Sequence, residues 1–127
     1  MRKDITNSDD LYLIVKLFYV KLMKDEKMKS FFVEFENPEL LEEHLKILVN
    51  FWDNILFYSG GYRKNAMLPH IQLHQKTPLK KEHFKRWLSM FNGAVDELFE
   101  GENSTAIKSR ALSIATVMKI KVSEVNK

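Results

Sequence analysis

The sequence contains no cysteine. Disulfides, iron–sulfur clusters and thiolate zinc sites are therefore excluded, and any metal must be held by nitrogen or oxygen. No apolar run approaches the length of a membrane span. Met1-Arg2-Lys3-Asp4 leads into no apolar signal core, so the cytoplasm is the expected compartment. A strong charge of either sign is also missing, since 20 Lys and Arg against 17 Asp and Glu leave a formal net charge of +3. The lysines mix with acids along the whole chain and form no stripe that would follow a phosphate backbone, which argues against a nucleic-acid partner. Repeats, low-complexity tracts and linkers are absent. The 127 residues are expected to form one domain, 1–127.

Aromatic surface is what the chain does have. Nine Phe, four Tyr and two Trp supply flat, rigid faces of the kind that line cofactor pockets. The apolar residues recur at three and four, and no segment alternates as a strand would. Ser8 or Asp9 is placed to cap a first helix whose inner face carries Leu11, Ile14, Val15, Phe18, Tyr19 and Leu22 and which ends near Lys24. A helical turn around Met28, Phe31 and Phe32 follows. Asn37-Pro38 is a cap followed by the one helical position that favours proline, and it opens a stripe of Leu41, His44, Leu45, Leu48, Phe51, Trp52 and Ile55. Ser59-Gly60-Gly61 breaks that stripe, 60–66 reads as a polar loop, and Met67 to His74 as a short helix or turn. Thr77-Pro78 repeats the capped start for a stripe through Leu79, His83, Phe84, Trp87, Leu88, Phe91, Val95 and Leu98, which Gly101 ends. Ser104 opens a last helix with Ile107, Ala111, Ile114 and Val117 or Met118 inward. The fold class is all-α, with four principal helices and short extras.

Polar residues inside these stripes are the functional candidates. Tyr19 and His44 fall on apolar faces, where the simplest account of each is a core-edge residue with its polar tip bonded to a neighbour. His70 and His74 are four apart, the spacing that puts two imidazoles on one helix face, yet no His-Glu-x-x-His pattern accompanies them. From spacing alone they read as a surface pair, with a two-histidine metal site as the alternative. Trp52 and Trp87 read as core anchors whose indole N–H would seek an acceptor or donate to a bound ligand.

Taken in order, Leu17-Phe18-Tyr19, Glu43-His44 with Asn50-Phe51-Trp52, Met67-x-x-His70-x-x-Leu73 and Glu82-His83-Phe84-Lys85-Arg86-Trp87-Leu88 resemble a truncated haemoglobin. The group resembled is the third, the bacterial two-over-two globins that lack the glycine motifs of the other groups. The likeness runs from about residue 5 to about residue 120. It implies a two-over-two helical sandwich around haem b. His70 would be the proximal ligand to the haem iron. Tyr19, His44 and Trp87 would form the distal set, with Tyr19 and Trp87 facing a gas ligand and His44 gating the pocket. Leu48, Phe51, Phe84, Leu88 and Phe32 (or its neighbour Phe31) would pack the haem, and Arg63, Lys64 and Arg86 would meet its propionates. The segment from His70 to Trp87 is about three residues longer than in the group, which makes His74 a competitor for the proximal place; the Met67-x-x-His70 pattern favours His70.

Such a pocket would hold dioxygen, nitric oxide or carbon monoxide tightly. Two buried hydrogen bonds of about 1–2 kcal/mol each would slow ligand release by roughly ten- to a hundredfold or more. Oxygen delivery fits this poorly. Nitric oxide oxidation or a peroxidase-like reaction fits better, and either would need an external reductase, because the chain has no flavin or nicotinamide motif. The competing expectations are a colourless helical metal-binding module using His70 and His74, and a helical adaptor that ignores haem.

Overall fold

The computed structural model describes residues 2–57 and 81–125, with side chains for 2–57 and 82–120. Four α-helices and one 3-10 helix account for nearly all of them, and no strand occurs among the described residues.

Helix α1 spans Ser8–Lys24. Its cap is Asn7, one residue before the expected Ser8 or Asp9. The Asn7 side chain accepts the Asp10 N–H at 3.0 Å, and the Asp10 carboxylate turns back to accept the Thr6 N–H and hydroxyl at 2.9 and 3.0 Å. This reciprocal arrangement works like a capping box, with both partners satisfying donors that the helix start would orphan. Asp9 and Asp10 in the first turn and Lys21 and Lys24 in the last complement the helix dipole. A turn at Asp25 leads into the 3-10 helix Lys29–Glu36. Helix α2, Pro38–Phe57, starts as the sequence predicts: Asn37 Oδ1 accepts the Glu39 N–H at 2.9 Å, and Pro38 takes the first helical position. Helix α3 covers Lys81–Leu98 and α4 covers Glu102–Val125.

Packing follows the stripes. Helix α1 lies against α2 and α3, α4 lies against α3 and reaches α2, and the 3-10 helix fills the corner between α1 and α2. The four helices thus close a ring of two contacting pairs, as the resemblance implies. Leu11, Ile14, Leu22, Leu45, Phe91 and Ile107 are fully buried at its centre. On α4 the inward stripe steps from Ile107 through Ala111 and Ala115 to Met118, which is 3% exposed, whereas Val117 faces outward at 37%.

The reversal between α3 and α4 differs from the sequence expectation. Helix α3 stops at Leu98, before Gly101, and α4 starts at Glu102, before Ser104. The cause is the chain's N-terminal segment. Asp4 accepts the N–H groups of Asn103 and Ser104 at 2.8 and 2.9 Å and the Ser104 hydroxyl at 2.9 Å, so it caps α4 from a distant part of the sequence. Gly101 has φ +145°, and a Cβ there would stand 2.5 Å from Asp4 Cγ. Only glycine permits this approach.

The expected break at Ser59-Gly60-Gly61, the loop 60–66, the turn from Met67 to His74 and the Thr77-Pro78 start lie outside the described residues. No described helix is long and apolar enough to cross a membrane.

Candidate functional site

Tyr19 sits on the inner face of α1 and is 3% exposed. Its ring meets Phe32 and Phe35 of the 3-10 helix edge-on, at centroid distances of 5.5 and 5.7 Å. Its hydroxyl shares a 2.6 Å hydrogen bond with Nε2 of His44, which arrives from α2. The His44 ring is fixed from the other element, stacking on Phe35 at 4.6 Å and 22°. Three elements therefore hold one phenol–imidazole pair. Burial pushes the Tyr19 phenol well above its ordinary range, and the nearby Glu34 carboxylate adds to the shift. The hydroxyl consequently keeps its proton across the working pH range.

Tyr19 also lines an apolar cleft of about 430 Å³, counting the space at its open mouth. Leu48, Phe51 and Trp52 of α2, Trp87 of α3 and Met118 of α4 form other parts of the wall. Trp87 is set by its neighbours. It meets Phe18 edge-on at 5.5 Å and stacks on Phe91 at 5.9 Å and 10°, and Phe91 also stacks with Trp52 at 5.2 Å.

The structure thus brings Tyr19, Leu48, Phe51 and Trp87 together on one cleft and joins His44 to it through Tyr19. Other expected residues go elsewhere. Phe32 backs Tyr19, and Phe31 packs edge-on against His83 at 4.8 Å. Phe84 and Leu88 line a second cleft with Leu112 and Ala115, between α3 and α4. Arg86, expected at a propionate, forms an ion pair with Asp25, its Nε standing 2.8 Å from each carboxylate oxygen. His83 is half-buried, with the Glu82 carboxylate 4.0 Å from its Nε2. His70, His74, Arg63 and Lys64 lie outside the described residues. Among the described residues, no group of three His, Cys, Asp or Glu is placed to hold a metal.

The sequence pattern marks Trp52 as a core anchor and Phe18, Phe91 and Met118 as stripe residues, whereas all four line the cleft. Their stripe positions were visible. Periodicity gives only the inward direction and does not separate a packed core from a cavity wall.

The cleft suits a flat apolar cofactor. Its walls are aromatic and aliphatic, and its polar hydrogens come from a few defined side chains, as is usual for sites that take apolar ligands. Haem fits this description, with Tyr19 and Trp87 on the wall.

Comparison with known proteins agrees with this fit. The profile of the bacterial-like globin family matches residues 4–122. The chain is 26% identical over 118 residues to the group 3 truncated haemoglobin ctb of Campylobacter jejuni, covering 91% of each. The crystal structure of a group III truncated haemoglobin from Campylobacter jejuni matches with a TM-score of 0.85 at 25% identity, over 96% of this chain and 95% of that one.

Proposed function

This chain belongs to the bacterial-like globin family, and on that premise we propose that it is a haem protein whose distal pocket holds dioxygen, nitric oxide or carbon monoxide tightly. The observation that carries the proposal is the buried Tyr19 hydroxyl, 2.6 Å from His44 Nε2 and on the wall of an apolar cleft. Haem b, when bound, would supply an iron centre that takes up a gas. The residues of this chain determine how long the gas stays.

Tyr19 contributes a phenol that burial keeps protonated. In the tautomer with a proton on Nε2, His44 donates to the phenol oxygen and leaves the phenol hydrogen for the cleft. Trp87 contributes a second donor from α3, its tilt set by Phe18 and Phe91. Leu48, Phe51 and Trp52 exclude water, which strengthens both hydrogen bonds. Two such bonds of about 1–2 kcal/mol each slow release by roughly thirtyfold or more. That favours gas chemistry over delivery. Nitric oxide oxidation and a peroxidase-like reaction are the candidate activities, with electrons from a separate reductase. His70 as proximal ligand and Arg63 as a propionate partner belong to the same proposal.

The test is an absorption spectrum of the purified chain, reconstituted with haemin where colourless, then reduced and exposed to carbon monoxide. A sharp Soret band that shifts with carbon monoxide is expected. Colourless protein with stoichiometric zinc would instead support the His70 and His74 metal site. His70→Ala should lose haem while His74→Ala retains it. Nitric oxide turnover no faster than that of free haem, with a competent reductase present, would leave ligand binding without the reaction.

A further inference from the structure

The two donors on the cleft wall come from different parts of the chain, Tyr19 from α1 and Trp87 from α3, so their relation depends on how α3 is held against α1 and the turn that follows it. Asp25 closes the turn after α1. Its Oδ1 accepts the N–H groups of Lys27 and Met28 at 2.9 and 3.1 Å, and its side chain is 7% exposed. That turn feeds the 3-10 helix, whose Phe32 and Phe35 hold Tyr19 and His44. From α3, Arg86 reaches across, with Nε 2.8 Å from both Asp25 oxygens and Nη2 on Oδ2. The Arg86 hydrogen bond is the main reason that the Asp25 carboxyl lies below its usual range. One turn earlier on α3, His83 packs against Phe31. The first turns of α3 are therefore pinned at two points to the corner that positions Tyr19.

We propose, resting on the haem reading above, that Arg86 is a positioning residue: by clasping Asp25 it fixes α3 against the α1 corner and so sets Trp87 relative to Tyr19 at the cleft. Arg86 is the residue immediately before Trp87, so any rotation or slide of the start of α3 is carried directly to the indole. Most surface ion pairs contribute little. This one differs because its acid is largely covered and already committed to the turn, and because a guanidinium fork fixes direction as well as distance. Its effect is geometric. A shift of a few tenths of an ångström at a hydrogen-bond donor weakens the bond, and a displacement of about 1 Å can cost far more.

The experiment compares Arg86→Lys and Arg86→Gln in the full chain. Both variants leave the Asp25 bonds to Lys27 and Met28 in place, so the corner keeps its caps. In the haem-reconstituted protein, dioxygen release should accelerate about three- to tenfold in Arg86→Gln and less in Arg86→Lys, with a shifted C–O stretch in the carbon monoxide form. In a Trp87→Phe background, Arg86→Gln should add no further acceleration. In the haem-free protein, the Trp87 indole N–H resonance should move in Arg86→Gln while that of Trp52 holds. An unmoved Trp87 resonance would overturn the proposal, as would unchanged release and C–O stretch, or an equal acceleration in the Trp87→Phe background. Absence of any Soret band would overturn the haem reading instead, and the indole resonances would still decide the clasp.

Discussion

At the scale of single residues, the proposed ligand chemistry rests most on the Tyr19–His44 contact. A phenol in water would ionise near pH 10, but Tyr19 is buried and its proton is held beyond that point. Replacing it with phenylalanine removes one donor from the cleft and leaves the ring packing against Phe32 and Phe35. In the haem form, Tyr19→Phe should therefore speed dioxygen release by about five- to thirtyfold, the equivalent of roughly 1–2 kcal/mol, as read by stopped-flow displacement. The same burial gives a pH prediction whose sign is fixed. Above pH 10 the unfolded chain can release the Tyr19 proton while the folded chain retains it, so the unfolded state gains and stability falls as pH rises. Denaturant midpoints measured from pH 8 to 11.5 should decline at the alkaline end, and Tyr19→Phe should flatten part of that decline. Both residues were legible as inward-facing polar groups, because each lies on an apolar stripe. Their bond was not, since it depends on how α1 crosses α2. The Arg86–Asp25 pair was less legible still. Nothing in a Lys-Arg-Trp string selects a partner 61 positions away.

At the scale of elements, helix starts divide into those capped locally and those capped from afar. Asn37-Pro38 could be read directly because cap and helix are adjacent in sequence. Helix α4 was misplaced by two residues because its cap is Asp4. Burial alone would raise the Asp4 carboxyl, but hydrogen bonds from Asn103, Ile5 and Ser104 outweigh that and hold it below its ordinary value. A lowered folded-state value means that the stabilisation is present above the unfolded pKa of 3.8 and is lost as pH falls through the folded one. Asp4→Ala should cost about 1–2 kcal/mol at neutral pH by losing the cap, and its stability should be less sensitive to acid than that of the parent chain. Melting curves at pH 7 and pH 3 would check both parts; equal acid sensitivity would mean that the Asp4 charge contributes nothing. The glycines sharpen the point. Gly93, inside α3, has nothing among the described residues within 4 Å of an added Cβ, so Gly93→Ala should stabilise by about 0.5–1 kcal/mol. At Gly101 the same change places a methyl group on Asp4 and should destabilise the chain, as calorimetry of the two variants would show.

At the scale of the whole molecule, fold and cleft are one arrangement seen from two sides. The ring of four helices buries Leu11, Ile14, Leu22 and Ile107 at its centre and leaves Phe51, Trp52, Trp87 and Met118 lining a cleft. The stripes predicted the all-α class because periodicity is local. They did not mark where the core stops being filled, because that depends on how the helices pack against one another. Only the ordered string from Tyr19 to Trp87 pointed to haem, through resemblance. The difference has a thermodynamic consequence. A cleft walled by large apolar side chains forgoes contacts that a filled core would make, so the haem-free chain should be measurably less stable than the complex. A ligand that binds only the folded state adds RT ln(1 + [L]/Kd), about 4 kcal/mol at a thousandfold excess over Kd. One equivalent of haemin should therefore raise the melting temperature by several degrees or more, and further addition should add little. Zinc at the same concentration should not reproduce the shift, because the described cleft wall is aromatic and aliphatic, which suits a flat apolar disc and not a bare cation. A zinc-dependent rise with no response to haemin would show that the cleft is a packing defect, and it would move the functional centre to His70 and His74.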